Sequence, residues 1–333
     1  MRFFSVMAIS FLAAGCGKDD DTSVDTSIIE TGDVTETGEI TTSCDGEIVE
    51  LEPSTGVSDW FYRDSMRVVF SDSALSAEFA LEQTDSGDSL ATSVSWGDGN
   101  LIATISPDEP LMGATSYTLT ATHCGVSEQS VFSTSDYGLP VEGGADALVG
   151  LTSAVLFGDV NFTLPENIGM LLGLYMDIPV LVGVVGAENG LIDVVAGLGY
   201  FDAVEGFGQR MNEPTWDLGS VDLEGDVFFS ATAPLVDLGS DGVSIPVSEF
   251  HMEGSFAQSG SHFSGGLLNG LVDTRNMSAL FSSSDPYYVC TDLVRPFGVY
   301  CEACPDGEEF CLFLQGEDIT STPAPDLSIV VVE

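Results

Sequence analysis

The sequence predicts a mainly β protein in which a β-sandwich is followed by a second β-rich domain with disulfide bonds. Three observations support this fold class. Glycine is frequent, at 37 of 333 residues, and helix-type charged stretches are few. Hydrophobic residues make up 44% of the chain, which is too many for a disordered protein. Seven cysteines are present, and six of them form an even set beyond residue 43.

The chain begins with an apolar leader. After Met1-Arg2, residues 3–14 are apolar except for two serines, and this stretch is shorter than the ~20 residues that span a bilayer. It predicts a signal peptide over residues 1–15. Its end, Ala13-Ala14-Gly15-Cys16, resembles the lipobox of bacterial lipoproteins, although the usual leucine stands one position further away, at Leu12.

The lipobox resemblance implies cleavage before Cys16 and attachment of diacylglycerol to its sulfur. The membrane would then be a partner through the lipid anchor, and Gly17, in place of an aspartate, favours the outer membrane, facing the periplasm or the cell surface. The alternative is an ordinary signal peptide with an incidental cysteine.

The charge balance is strongly acidic. There are 53 acidic and 7 basic residues, and the formal net charge is -46. Such a field repels phosphate backbones, so we expect no nucleic-acid partner.

Residues 16–43 predict a lipidated cysteine and a disordered acidic tether. Residues 17–43 contain eight acids, one lysine, ten serines or threonines and no aromatic residue. Such a stretch cannot bury enough surface to fold, and its like charges extend it. We interpret it as a spacer; the alternative is a Ca²⁺-collecting or O-glycosylated segment, and Ca²⁺ is the only cofactor considered.

Residues 44–134 predict a sandwich of about seven short strands. The turn signal Gly97-Asp98-Gly99-Asn100 separates two of them. The predicted strands are 49–51, 66–70, 79–81, 92–96, 101–105, 117–120 and 131–134.

An ordered set of short motifs in residues 44–134 resembles the bacterial Ig-like domain of cell-surface proteins. This resemblance implies an Ig-like sandwich that serves as a spacer or adhesion module and has no catalytic residues. Two motifs depart from the family, which commonly has Phe-Thr-Pro in the middle and Phe-Thr-Thr at the end. The motifs are Pro53 with Gly56, Val68-Val69-Phe70-Ser71, Ile105-Ser106-Pro107, Pro110-Leu111 with Gly113, Tyr117-Thr118-Leu119 and Phe132-Ser133-Thr134.

The six remaining cysteines predict disulfide bonds. Cys44 and Cys124 lie near the two ends of the first domain and are predicted to pair; adjacent His123 is interpreted as a structural histidine. Cys290, Cys301, Cys304 and Cys311 could form a zinc site, a redox pair or two disulfides, and the exported setting favours disulfides. Three pairings are open, of which Cys290–Cys301 with Cys304–Cys311 is favoured.

Residues 135–144 predict a linker, and residues 145–333 a β-rich domain of unknown function. Its most apolar window, 168–187, is interrupted at Asp177-Ile178-Pro179, which favours two buried strands, or a helix and a strand, over a transmembrane helix. Further strands are predicted at 191–196, 227–231, 250–256 and 263–271, with a hairpin turn at 258–261. His251 and His262 flank this turn and could approach each other, but a metal site is not predicted.

The C-terminal part contains Gly254-Ser255-Phe256, Gly265-Gly266 and the run from Gly270 to Arg275, followed by the cluster of four cysteines. This order resembles an uncharacterised domain of acidic-tethered bacterial lipoproteins. The resemblance implies a repeated architecture and carries no known activity.

No catalytic site is predicted. His-Glu-x-x-His, Gly-x-Ser-x-Gly, Walker and dinucleotide-binding motifs are absent from the sequence. We therefore expect a cell-envelope lipoprotein that acts as a surface-exposed structural or interaction module with a protein or glycan partner, more readily than an enzyme. The alternatives are an envelope glycan hydrolase or an apolar-ligand carrier with its site in residues 145–333.

Overall fold

The computed structural model describes residues 44, 46–165, 178–239 and 242–332. Cys16, the leader and the tether lie outside the described residues. Residues 44–333 form one compact unit. Within it, strands fall on both sides of residues 135–144 and assemble into two pairs of sheets.

The first pair of sheets spans eight strands and has the immunoglobulin order. One sheet runs β1-β2-β6-β5 and the other β4-β3-β7-β8, with antiparallel pairing throughout. The strands are β1 Ile48–Glu52, β2 Met66–Phe70, β3 Glu78–Gln83, β4 Ser89–Leu90, β5 Thr92–Gly97, β6 Ile102–Pro107, β7 Ser116–His123 and β8 Val126–Ser133.

The chain changes sheets after β1. From Pro53 onward it runs beside β8, where the Gly56 amide donates to the Val131 carbonyl and the Ser133 amide to that of Val57, both at 2.8 Å. Trp60 and Thr134 form a parallel bridge there. Residues 48–60 thus contact both sheets, one through β1 and the other through the residues that follow it, and close the sandwich.

Alternation of buried and exposed residues explains the first core. In β2, Met66, Val68 and Phe70 are buried, and the intervening residues are half-buried. Strand β7 buries Tyr117, Leu119 and every second residue after them. Each sheet therefore has one face toward the core and one toward solvent.

The second pair of sheets is also a sandwich of antiparallel strands. Its five-stranded sheet runs β10-β18-β17-β16-β15, and its six-stranded sheet β13-β12-β11-β9-β19, with β14 also paired to β12. One large hydrophobic cluster lies between them. The strands are β9 Thr152–Leu156, β10 Asn161–Leu164, β11 Pro179–Glu188, β12 Leu191–Asp202, β13 Gly206–Gln209, β14 Thr215–Asp222, β15 Phe228–Asp237, β16 Pro246–Phe256, β17 Phe263–Asp273, β18 Cys311–Ile319 and β19 Thr322–Pro323.

Helical segments are short in the described ranges. The one α-helix, α1, is Ala145–Leu148. The others are 3-10 turns at Asp136–Gly138, Phe157–Asp159, Asn276–Phe281 and Arg295–Phe297, and a π turn at Val289–Leu293.

The fold-class prediction is confirmed: the protein is mainly β, with an Ig-like sandwich followed by a second β-rich, disulfide-containing region. The turn at 97–100 and the hairpin turn at 258–261 both lie between paired strands as predicted. In the first sandwich the short β4 and the first half of β8 were not predicted. In the second sandwich the sequence did not predict β9, β10, β13, β14, β18 or β19.

The structure describes the second part of the apolar window 168–187, from residue 178 onward. Its second piece is β11, in which Pro179 to Val184 are all buried; its first piece, up to residue 177, lies outside them. In the part of the chain that the structure describes, no helix has both the length and the apolar character needed to cross a membrane.

The C-terminal segment explains why β11 is buried on both faces. Ile329, with Ala154, Leu181 and Val195, forms a small hydrophobic cluster on the side away from the main core. A Cβ at Gly183 would lie 2.5 Å from a methyl carbon of Ile329, so only glycine allows this approach.

Candidate functional site

Six cysteines form three disulfide bonds, which confirms the predicted disulfide bonding. Cys44 pairs with Cys124, Cys290 with Cys301, and Cys304 with Cys311, the pairings that the sequence favours. The Cα–Cα distances are 5.4, 5.6 and 5.0 Å, within the usual range for disulfides. Every cysteine of the described residues is therefore oxidised.

The Cys44–Cys124 bond lies beside a buried histidine. His123 is 4% exposed, its ring lies edge-on to Phe70 at 5.4 Å, and its Nε2 is 3.9 Å from the Cys44 sulfur. Among the described residues these two cysteines and His123 are the one group with three potential metal ligands close together. Because the two sulfurs are bonded to each other, no thiolate is left to bind a metal there.

An arginine anchors the loop of the C-terminal disulfides. Arg275 Nε lies 2.9 Å from Asp273 Oδ1, and its Nη1 lies 2.7 Å from Asp306 Oδ2, within the Cys304–Cys311 loop. Hydrogen bonds from the Glu308 backbone N–H and, to a smaller extent, from the Arg275 side chain hold the pKa of Asp306 below its ordinary value. This cluster links β17 to the loop that precedes β18 by charge-assisted bonds.

His251 and His262 do not form a pair. The register of β16 and β17 places His251 opposite Asn269, several residues from the turn that His262 follows. Each histidine has different partners, so this hairpin does not bring two imidazoles to one site.

His251 is the centre of a polar cluster on the outer face of the five-stranded sheet. Its Nε2 lies 2.9 Å from the Ser230 hydroxyl and 3.4 Å from Glu253, while the Asn269 amide is 3.4 Å from its Nδ1. In a catalytic triad the carboxylate binds the ring nitrogen opposite the serine. Here both acid and serine share Nε2, so the cluster does not activate Ser230 as a nucleophile.

The two sandwiches meet along residues 60–64 and 135–142. The Tyr62 hydroxyl bonds to Ser255 Oγ at 2.9 Å, and both side chains are buried. The ring of Phe61 lies against Gly265, where a Cβ would come within 2.1 Å of it. This close approach requires glycine and fixes the first sandwich on β17.

A second set of contacts involves the segment between the sandwiches. Tyr137 Oη lies 3.1 Å from His262 Nε2, and burial lowers the pKa of His262. The amides of Val141 and Glu142 donate to the carbonyls of Asp226 and Gln258, at 2.9 and 2.8 Å. The predicted linker is thus hydrogen-bonded to the second sandwich.

A third set is built around Arg63. Its guanidinium carbon lies 3.6 Å from the centre of the Phe228 ring, and its Nη2 is 3.1 Å from Glu224 Oε1. Val227 and Phe228 belong to the same hydrophobic cluster as the core of the first sandwich. The two sandwiches therefore share buried apolar surface as well as polar contacts.

The carboxylates of Asp64, from the first sandwich, and Asp318, from the second, also interact at this junction. Partial loss of solvent, and then the charge of Asp318, raise the pKa of Asp64 to about 6.

Sequence reasoning missed the junction residues, because Arg63 and Glu224, or Asp64 and Asp318, are far apart in the chain. No local motif signals them, whereas cysteine count and spacing signalled the disulfides.

Comparison with models of known protein families gives no match, and neither does comparison with curated protein sequences. Among solved structures, an S-layer protein, rSbsC(31-844), is similar at a TM-score of 0.21 and 11% identity over 84% of this chain and 53% of that one. A cycloalternan-forming enzyme from Listeria monocytogenes is similar at a TM-score of 0.18 and 10% identity, over 65% and 20%. This chain thus spans about half or a fifth of these proteins, and likenesses this low carry no argument about fold or function.

Proposed function

We propose that this chain is a lipid-anchored protein of the bacterial cell envelope that acts as a structural or interaction module. The single observation that supports the proposal best is the pairing of all six cysteines of residues 44–333 in disulfides. Disulfides form and persist in oxidising compartments outside the cytoplasm. Cys16 is then the one cysteine of the sequence left for lipidation.

The order of segments matches the arrangement proposed for the envelope. Cys16 carries the lipid, residues 17–43 act as an acidic spacer, and residues 44–333 form the folded unit that meets partners. We place it at the outer membrane, with a protein or a glycan as its partner. The net charge of -46 favours partners with positive charge over anionic ones.

Fractionation of bacteria that express the full chain tests the proposal. Wild-type protein is expected in the membrane fraction, released only by detergent and carrying a diacylglycerol label. The Cys16→Ser variant should lose the label and move to the soluble fraction, because the lipid provides the attachment. Cys44→Ser is the matched control and should retain the label. Equal membrane retention and no label in wild type and Cys16→Ser would contradict the anchor.

A further inference from the structure

A pocket of about 370 Å³ lies between the two sandwiches. Its floor includes Leu111 and Val227, which are 2% and 3% exposed, and its wall includes Met112, which is 63% exposed. Leu139 and two prolines complete the apolar lining. The volume lies within the range of small binding pockets, and such pockets are common at domain interfaces.

The lining favours a bulky apolar group. Leucine, valine, proline and methionine side chains present no hydrogen-bonding group to a ligand, and methionine adapts its shape to different partners. An aromatic side chain buries ~150–250 Å² and is a common anchor of protein interfaces, typically in a pocket of this kind.

The polar groups of the pocket form one ion pair, Arg63 with Glu224. Arg63 donates through Nε to the Tyr62 hydroxyl at 3.1 Å and through Nη2 to Glu224. A guanidinium has five N–H donors, so about three remain for a ligand. Glu224, whose side chain is 59% exposed, retains acceptor capacity. Donors and acceptors side by side match the C=O and N–H of a peptide group.

The rim of the pocket is acidic. Residues 62–63 contribute the one cation of the lining, Arg63, and the segments 108–113, 136–142 and 224–227 contribute the other ten lining residues. These three segments contain no lysine or arginine and six exposed acidic residues, of which Glu224 lines the pocket and the others lie near lining residues along the chain. Like the net charge of the whole chain, these carboxylates attract cations to the pocket mouth. The acidic residues are Asp108, Glu109, Asp136, Glu142, Glu224 and Asp226.

We propose that this pocket binds a bulky apolar side chain of a basic peptide segment in a partner protein. The apolar side chain enters between Met112 and Leu139, the peptide group bonds to Arg63 and Glu224, and flanking lysines or arginines meet the rim carboxylates. The proposal rests on the interaction role proposed above and names its site and the class of its partner.

Peptide binding to the purified full chain, measured by calorimetry, tests the proposal. The probe is a pentapeptide with one tryptophan between two pairs of lysines; a second peptide has serine instead of tryptophan, and a third has glutamates instead of lysines. We expect the first to bind at least tenfold more tightly than either of the others, since only it satisfies both the pocket and the rim.

Matched protein variants locate the binding. Met112→Arg should weaken binding of the tryptophan peptide at least tenfold, because a cation then occupies the pocket wall. Met211→Arg adds the same charge at a methionine that is 55% exposed and away from the pocket, and should change binding less than twofold. Circular dichroism of both variants checks that the fold is retained, and spectra equal to that of the wild type are expected.

Three results would overturn the proposal: equal binding of the serine and tryptophan peptides, equal effects of the two methionine variants, or binding of a neutral chito-oligosaccharide in the pocket without binding of the peptide. None of these outcomes depends on Cys16. A result that contradicts peptide binding in the pocket is therefore distinguishable from one that contradicts lipid attachment at Cys16.

Discussion

The two sandwiches of this chain exclude water in different ways. In the first, strands such as β2 and β7 alternate between buried and solvent-facing residues, so each sheet covers one core. In the second, β11 is buried on both faces because the C-terminal segment packs across the outside of its sheet. The difference shows that alternating buried and exposed residues indicate a sheet covered on one face. A continuous apolar run indicates a sheet covered on both faces, here by a third layer formed by the C-terminal segment around Ile329.

The disulfides of the two sandwiches differ in the length of the loop that each one closes. The bond in the first sandwich closes a loop of 80 residues, whereas those in the second close loops of 11 and 7. The first joins the start of the domain to the turn after β7, and the others fix local loops around β18. Their contributions to stability should therefore differ.

The largest expected effect concerns the long-range disulfide. Replacing Cys44 and Cys124 by serine should lower the free energy of unfolding by about 4.5 kcal/mol. The reason is that this disulfide closes the longest loop, so its removal returns the most conformational entropy to the unfolded chain. Replacing Cys304 and Cys311 should cost about 2.4 kcal/mol on the same model. Urea denaturation of both double variants measures the difference, and equal costs would show that loop length does not govern it.

The next effect concerns the third layer. Ile329→Ala should lower the free energy of unfolding by about 3 kcal/mol, because it removes the side chain that packs on Gly183 and Leu181. Val330, which is 52% exposed, provides the control, and Val330→Ala should change stability by at most about 0.5 kcal/mol. Similar losses for both would mean that the segment does not cover β11.

A smaller effect concerns the hydrogen bond that joins the two sandwiches. Tyr62→Phe should lower the free energy of unfolding by about 2 kcal/mol, because the Ser255 hydroxyl stays buried without its partner. Tyr300→Phe removes a hydroxyl from a tyrosine that is 71% exposed and should have almost no effect. Thermal unfolding of the two variants under one condition gives the comparison.

The smallest effect is a pH dependence of the same junction. The pKa of Asp64 is raised to about 6 from 3.8, so the folded state holds the proton more tightly than the unfolded state. Stability from this group is present below about pH 4 and is lost as the pH rises through 6. Asp64→Asn should therefore raise the melting temperature at pH 7 and lose that advantage at pH 4.

The exposed carboxylate Asp326 provides the control for the pH experiment. Asp326→Asn also removes a carboxylate, but from an exposed site, so it should change the melting temperature at pH 7 by less than Asp64→Asn does. An effect of Asp64→Asn that is the same at pH 4 and pH 7 would show that the pKa of Asp64 is not raised in the folded protein.

The sequence predicted the first sandwich better than the second for a physical reason. Strands of one-sided sheets show alternation within five residues, and the turn at Gly97-Asp98-Gly99-Asn100 fixes a hairpin locally. The burial of β11 depends on Ile329, more than 140 positions away, so local pattern marks it as apolar without saying what covers it.

The candidate site shows the same limit. Cysteine number and spacing indicated disulfides, because oxidised export requires even pairing. The pocket at Met112 and the Arg63–Glu224 pair arise only when residues 60–64, 110–113 and 224–228 meet. The motif Pro110-Leu111 with Gly113 lies in one of these segments, but it indicates the Ig-like fold and not a pocket.

We expect the junction to hold the two sandwiches in one cooperative unit, since the pocket exists only between them. Hydrogen–deuterium exchange of the full chain across a urea titration tests it most directly. Peptides from β2 and β7 and peptides from β11, β16 and β17 should lose protection at one common urea midpoint. Two separate midpoints would contradict the claim, because each sandwich would then unfold on its own.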